Sequence, residues 1–143
     1  MKKYKIGYTT GVFDMFHIGH LNILKRAKEQ CEYLIVGVST DDVVQTYKHK
    51  TPIIPFEERR AIVEAIKYVD MVVPQQNMNK LEIVKKIGAN AVFVGSDWKG
   101  SLQWNEYERV FKDVGCTVVY LEHTDGISST ILRCKLNNEL EAN

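Results

Sequence analysis

Cysteine is scarce: Cys31, Cys116 and Cys134 are odd in number, far apart and in no CxxC or zinc spacing, which argues against a disulfide framework. All three are expected as buried free thiols. No stretch approaches the roughly 20 apolar residues of a bilayer-spanning helix, and the opening Met1-Lys2-Lys3-Tyr4-Lys5-Ile6-Gly7 has no hydrophobic signal region. The expected compartment is the cytoplasm, with no membrane partner. Neither charge is in excess, since 19 Lys and Arg against 18 Asp and Glu leave +1. A broad nucleic-acid-binding surface is therefore not expected, and any phosphate site must be local. Proline is rare at three residues and no repeat or biased tract occurs, so disorder is excluded as well. What remains is 143 residues with 45% apolar content, enough for one domain over residues 1–143 with a sizeable core.

Ile6–Thr9, Tyr33–Ser39, Met71–Val73, Ala91–Gly95 and Thr117–Leu121 are short, nearly continuous apolar runs, the pattern of strands buried on both faces. Between and after them, helical spacing appears in Ile18, Leu21, Leu24 and Ala27; in Phe56, Val63 and Ile66; in Leu81, Val84 and Ile87; and in Leu132, Leu136 and Leu140. Alternating strands and helices imply an α/β fold, a Rossmann-like doubly wound domain with a five-stranded parallel sheet. Its ligands gather beyond the carboxyl ends of the strands. The tail from Asn137 to Asn143 is expected to fray.

The first strand runs into Thr10-Gly11-Val12-Phe13-Asp14-Met15-Phe16-His17-Ile18-Gly19-His20, where helical periodicity begins. Two histidines three apart at a helix start stand near its positive end and its free N–H groups, which suits a nucleotide phosphate. Gly19 is expected to let that phosphate approach the backbone. A zinc pair is the rival reading, but zinc wants three or four ligands and no cluster supplies the rest. After the second strand come Lys48, Lys50 and the Glu57-Glu58-Arg59-Arg60 segment; after the fourth, Gly95-Ser96-Asp97-Trp98, a plausible lid; after the fifth, His123-Thr124-Asp125-Gly126-Ile127-Ser128-Ser129-Thr130 and then Arg133. Ser128 or Ser129 is expected to cap the final helix. Arg133 falls on the helix face of Ser129 and Thr130, one turn further in, from where a guanidinium can reach back toward phosphate at the helix start.

These motifs, in this order, resemble the cytidylyltransferase family of the HxGH nucleotidyltransferase superfamily, over about Tyr4 to Lys135. The likeness is greatest to the members that act on glycerol 3-phosphate. It implies transfer of CMP from CTP to a small phospho-alcohol, giving a CDP-alcohol and pyrophosphate, with Mg²⁺ carried mainly by the triphosphate and a homodimer as the assembly. His17, His20 and Lys50 would be catalytic. Val12, Phe13, Gly19, Asp97, His123, Thr124, Gly126, Ile127, Ser128, Ser129, Thr130 and Arg133 would bind the nucleotide, and Lys48, Arg59 and Lys80 the acceptor side. The family carries arginine where this chain has His123, and Arg133 is the expected substitute. Choline-phosphate and ethanolamine-phosphate enzymes are the nearest alternatives. The ISSTxxR reading of residues 127–133 points instead to an ATP-using adenylyltransferase, and a nucleotide-binding regulatory domain is the non-enzymatic alternative. A synthetase of the same superfamily is excluded by size and by the lack of a KMSKS loop.

Overall fold

The computed structural model describes residues 2–122, 124 and 127–142. Five strands, β1 (Tyr4–Gly11), β2 (Cys31–Ser39), β3 (Met71–Gln75), β4 (Ala91–Gly95) and β5 (Thr117–Leu121), form one parallel sheet in the order β3-β2-β1-β4-β5. The expected doubly wound α/β architecture is present. Helices α1 (Ile18–Gln30), α2 (Asp41–Lys48), α3 (Phe56–Glu64), α4 (Lys80–Ile87), α5 (Leu102–Lys112) and α6 (Ser129–Ala142) connect or follow the strands. One core lies on the α1 side of the sheet around Leu24, Leu34, Val36 and Phe93; the other packs Tyr8, Ile35, Val84, Trp104 and Phe111 on the opposite face.

Two of these helices are absent from the periodicity reading. Helix α2 has adjacent β-branched Val43 and Val44 instead of a spaced stripe, and its start is set by the Thr40 side chain accepting from Val43 N–H. In α5 the buried face is carried by Trp104, Tyr107 and Phe111, aromatic residues at helical spacing. Helix α6 runs to Ala142, so most of the tail expected to fray has helical backbone. Cys31 and Cys116 are buried, but Cys134 on α6 is exposed, which corrects the expectation for that thiol.

The sheet makes the site by failing to close. Strand β1 pairs with β2 from Tyr4 to Gly11, yet with β4 only at Gly7 and Tyr8. Beyond that point the ladder between β1 and β4 ends, and the Thr9 hydroxyl donates to the Phe93 carbonyl at 2.9 Å instead. This split is where the chain reverses its winding direction, the place at which open α/β sheets receive ligands. Tyr8 also crosses β2 beneath the crevice to donate its hydroxyl to the Gln75 side chain on β3. Gly37 allows that crossing, since a Cβ there would stand 1.9 Å from the Tyr8 hydroxyl oxygen. Burial pushes the Tyr8 phenol up to about 12, despite the neighbouring Thr10 hydroxyl.

Candidate active site

The β1–α1 turn builds the centre of the crevice. Phe13 and Met15 both adopt the left-handed backbone region, with φ of 55° and 50°. Such strain in non-glycine residues persists only where surroundings enforce it. Here the enforcement comes from Asp14, which is 2% exposed and whose carboxylate accepts from Ile53 N–H and Ile54 N–H at 2.9 Å each. Burial alone would raise this carboxyl, but the two N–H donors and Arg133 outweigh it and hold it below the usual range.

His17 is the N-cap of α1, and the two histidines cap the helix reciprocally. His17 Nδ1 accepts from Gly19 N–H at 3.0 Å, while His20 Nδ1 accepts from His17 N–H at 3.2 Å. Both Nδ1 atoms are thereby acceptors, so each neutral ring carries its proton on Nε2. The rings stack with centroids 3.8 Å apart. Desolvation lowers the basicity of both, and the adjacent His17 helps bring His20 down to about 4. Gly19 has a more specific cause than the one expected, for a Cβ there would meet the His17 ring at 2.8 Å.

Three cavities open around this turn. The first, of about 200 Å³, is lined by Val12, Phe13, Asp14 and His20 from the turn, by Lys48 and Lys50, and by Ser129, Thr130 and Arg133 from α6. The second, of about 360 Å³, lies on the β2–β3 side among Lys48, Lys80, Tyr47, Gln75, Trp98 and Trp104, with no carboxylate among the described residues of its wall. The third, of about 250 Å³, lies between the β1 and β4 ends, where Val12, Phe13 and His20 face Asp97 and Trp98. Lys48 belongs to the first two, His20 to the first and third. Partial desolvation, then Lys50 and Arg133 nearby, lower the basicity of Lys48; desolvation and then Lys48 do the same for Lys80. Cations crowded against one another form an anion site.

The remaining expected residues divide. Lys48 is the last residue of α2, not a loop residue, and Lys80 opens α4 with its ammonium over the Trp104 and Tyr107 rings. Ser128 caps α6, accepting from Ile131 N–H at 3.0 Å, and Thr124 accepts from the Asn22 side chain at 3.0 Å. Ile127 lies beside Gly19. His17 is not among the side chains lining the three cavities; its ring stacks on that of His20, which lines two of them. Trp98 is 49% exposed at the crevice edge, as a lid residue would be, whereas Trp104 is buried in the core. His123 and Gly126 lie outside the described residues.

Arg59 corrects its expected place among the substrate-binding residues. Its side chain is fully buried and spent on the protein: it donates to the carbonyls of Ile54, Val12 and Ser39 at 2.7–2.8 Å and pairs with Asp41 at 2.6 Å. It holds the ends of β1, β2 and α2 together beneath the site. Asp14 is the residue that motif reading passed over. It stands inside the quoted motif, but its partners lie about 40 and 119 residues away, so nothing local announces its role.

Among the described residues no group of three or more His, Cys, Asp or Glu side chains stands together to hold a metal ion. A cation that rides on phosphates, the usual mode for Mg²⁺, needs no such cluster. Among the same residues no helix is long and apolar enough to cross a membrane.

The family model described as cytidylyltransferase-like matches residues 8–135. The chain is 38% identical over 129 residues to the glycerol-3-phosphate cytidylyltransferase of Staphylococcus aureus, spanning 90% of this chain and 92% of that one. It is also 38% identical over 127 residues to the enzyme of that name from Bacillus subtilis, with 87% and 92% spanned. In three dimensions it is similar to the lipopolysaccharide core biosynthesis protein of Thermoplasma volcanium, with a TM-score of 0.71 and 26% identity over 85% of this chain and 97% of the other.

Proposed function

From the premise that this chain belongs to the cytidylyltransferase-like family, we propose that it transfers CMP from CTP to glycerol 3-phosphate, giving CDP-glycerol and pyrophosphate. The observation that carries the reading is Lys48, a cation in the wall shared by the cationic cavity at the α1 and α6 starts and by the cavity holding Lys80. Two phosphorylated substrates meeting at one phosphorus need such a shared positive wall.

The triphosphate occupies the first cavity, with the nucleoside toward the third, between β1 and β4. The acceptor phosphate lies in the second against Lys48 and Lys80. An acceptor phosphate oxygen attacks the α-phosphorus in line, the bond to the bridging oxygen breaks, and pyrophosphate leaves with the electron pair. Little covalent work falls to the protein, so positioning and fixed donors dominate. The Nε2–H groups of His17 and His20 donate to phosphate oxygens, and their low basicity keeps them neutral donors of one fixed tautomer at pH 7. Lys50, Arg133 and the hydroxyls of Ser129 and Thr130 hold the β- and γ-phosphates. A divalent cation such as Mg²⁺, carried by the triphosphate and not by a cluster of protein ligands, would supply charge neutralisation there. The second cavity favours an uncharged alcohol over choline or ethanolamine phosphate, because the described residues of its wall include two ammonium groups and no carboxylate for a cationic head.

The reading includes a cytoplasmic location, where CTP is made, and a homodimer, for which Ile53, between α2 and α3, and Ile62 on α3 offer exposed apolar side chains at 54% and 44%. Sedimentation checks the assembly. Pyrophosphate release with CTP or ATP and a panel of glycerol, choline and ethanolamine phosphates tests the activity. CTP with glycerol 3-phosphate is expected to give the highest kcat/KM, and comparable turnover with ATP would overturn the nucleotide assignment.

A further inference from the structure

Arg133 is not free in the first cavity. One terminal nitrogen of its guanidinium donates to the Asp14 carboxylate, while its other nitrogens make no hydrogen bond among the described residues and its side chain remains 24% exposed. Asp14 is bound from every side. Its carboxylate receives the two N–H groups of Ile53 and Ile54, and its carbonyl receives the Ser129 hydroxyl at 2.6 Å. The residues on either side of it are left-handed, and Asp14 itself is buried. One residue of the β1–α1 turn thus fastens both other walls of the cavity: the segment after Lys48 and Lys50, and the start of α6.

Taking Arg133 as a triphosphate ligand from the function proposed above, we propose that Asp14 is its positioning residue, gripping one edge of the guanidinium so that the opposite edge faces the β- and γ-phosphates. Although Asp14 lines that cavity, its carboxylate is given to Arg133 and the two N–H groups and acts on the triphosphate through the guanidinium. Its negative charge costs the cavity part of its attraction for the triphosphate, and three cations, Lys48, Lys50 and Arg133, offset it. In exchange the arginine is preorganised: a planar fork held on one side loses less rotamer freedom when phosphate arrives on the other. A lysine cannot do the same, since one compact ammonium has no second edge to offer.

Steady-state kinetics on Arg133→Ala, Arg133→Lys, Asp14→Asn and the Asp14→Asn/Arg133→Ala double variant, each checked by thermal melting, test the proposal. Arg133→Ala is expected to raise the KM for CTP about tenfold, the worth of one charge-assisted hydrogen bond, with the KM for glycerol 3-phosphate within twofold. Arg133→Lys is expected to match it despite keeping the charge. Asp14→Asn is expected to raise the same constant and to add nothing once Arg133 is gone. Multiplicative effects in the double variant, an equal rise in the acceptor KM, or parental CTP kinetics in Arg133→Lys would overturn the positioning role while leaving Arg133 a ligand. An unchanged CTP KM in Arg133→Ala would instead remove Arg133 from the triphosphate reading altogether. If Asp14→Asn melts without a cooperative transition, the Arg133→Lys result decides alone.

Discussion

Two helix starts face the same cavity, and they are built in opposite ways. The start of α1 is made from its own sequence: His17 caps Gly19, His20 caps His17, and all the bonds span three residues or fewer. The start of α6 has its cap from Ser128, but its placement comes from Asp14, which it reaches through Ser129 and Arg133 across 115 and 119 residues. The first supplies neutral donors, the second hydroxyls and a permanent charge. Neutral donors suit the reacting phosphorus, where charge develops; the permanent charge suits the phosphates that leave.

The largest expected effect breaks that comparison at α1. His17→Ala or His20→Ala should lower kcat by ~10²–10³, the usual cost of one donor aimed at a transition state, with the melting temperature showing that the fold survives. A kcat within a few-fold of the parent would reduce the histidines to a helix cap. Next comes the support beneath both starts. Arg59→Met strips four acceptors of their partner, and loss of about 3 kcal/mol is expected, toward the low end of the range for buried pairs because the Asp41 side chain is 43% exposed. Denaturant unfolding measures it, and a change below 1 kcal/mol would show that the carbonyls find water instead. Lys48→Ala or Lys80→Ala should then raise the acceptor KM about tenfold. For Lys80 the CTP KM should not move; for Lys48, which borders both cavities, it should rise as well.

The smallest effect sharpens the contrast in protonation. His20 titrates near 6.5 when unfolded and near 4 when folded, so the unfolded chain binds more protons between those values. Stability contributed by its neutral form should be complete above about pH 7 and fall as pH drops through that window. His20→Gln should flatten this slope in melting temperature against pH. An unchanged slope would place the titration elsewhere. The α6 start, held by an arginine that stays charged, should add slope only at the acid end of that range, through Asp14, whose carboxyl Arg133 helps hold below its usual range.

The same contrast explains what could be read from residues alone. Strands β1 to β5 and the α1 start are written in local patterns, apolar runs and the HxGH spacing, and they appear where expected. The placement of Arg133, the burial of Arg59 and the part played by Asp14 depend on partners brought together only by the fold. The EERR segment shows the difficulty well: Arg59 and Arg60 are adjacent and chemically identical, yet the first is buried among carbonyls while the second pairs with Glu64 at the surface. Helix phase separates them, and phase follows from packing against β2 and β3. Helix α2 was hidden for a related reason, since adjacent valines signal a strand as readily as a helix.

Gly37 has a consequence for what the second cavity can become. Tyr8 and Gln75 form a crossbeam under its floor, and the beam lies in a notch the width of one missing methyl group. The amide end of Gln75 is tied in turn to the Asn77 carbonyl at 2.7 Å, just ahead of Lys80. A side chain at position 37 would therefore act at a distance: it would lift the beam, tilt the segment leading to α4 and shift Lys80, the lysine proposed to meet the acceptor. On the proposed placement of the acceptor, its preference is open to adjustment from inside the sheet, by a substitution that never touches the ligand.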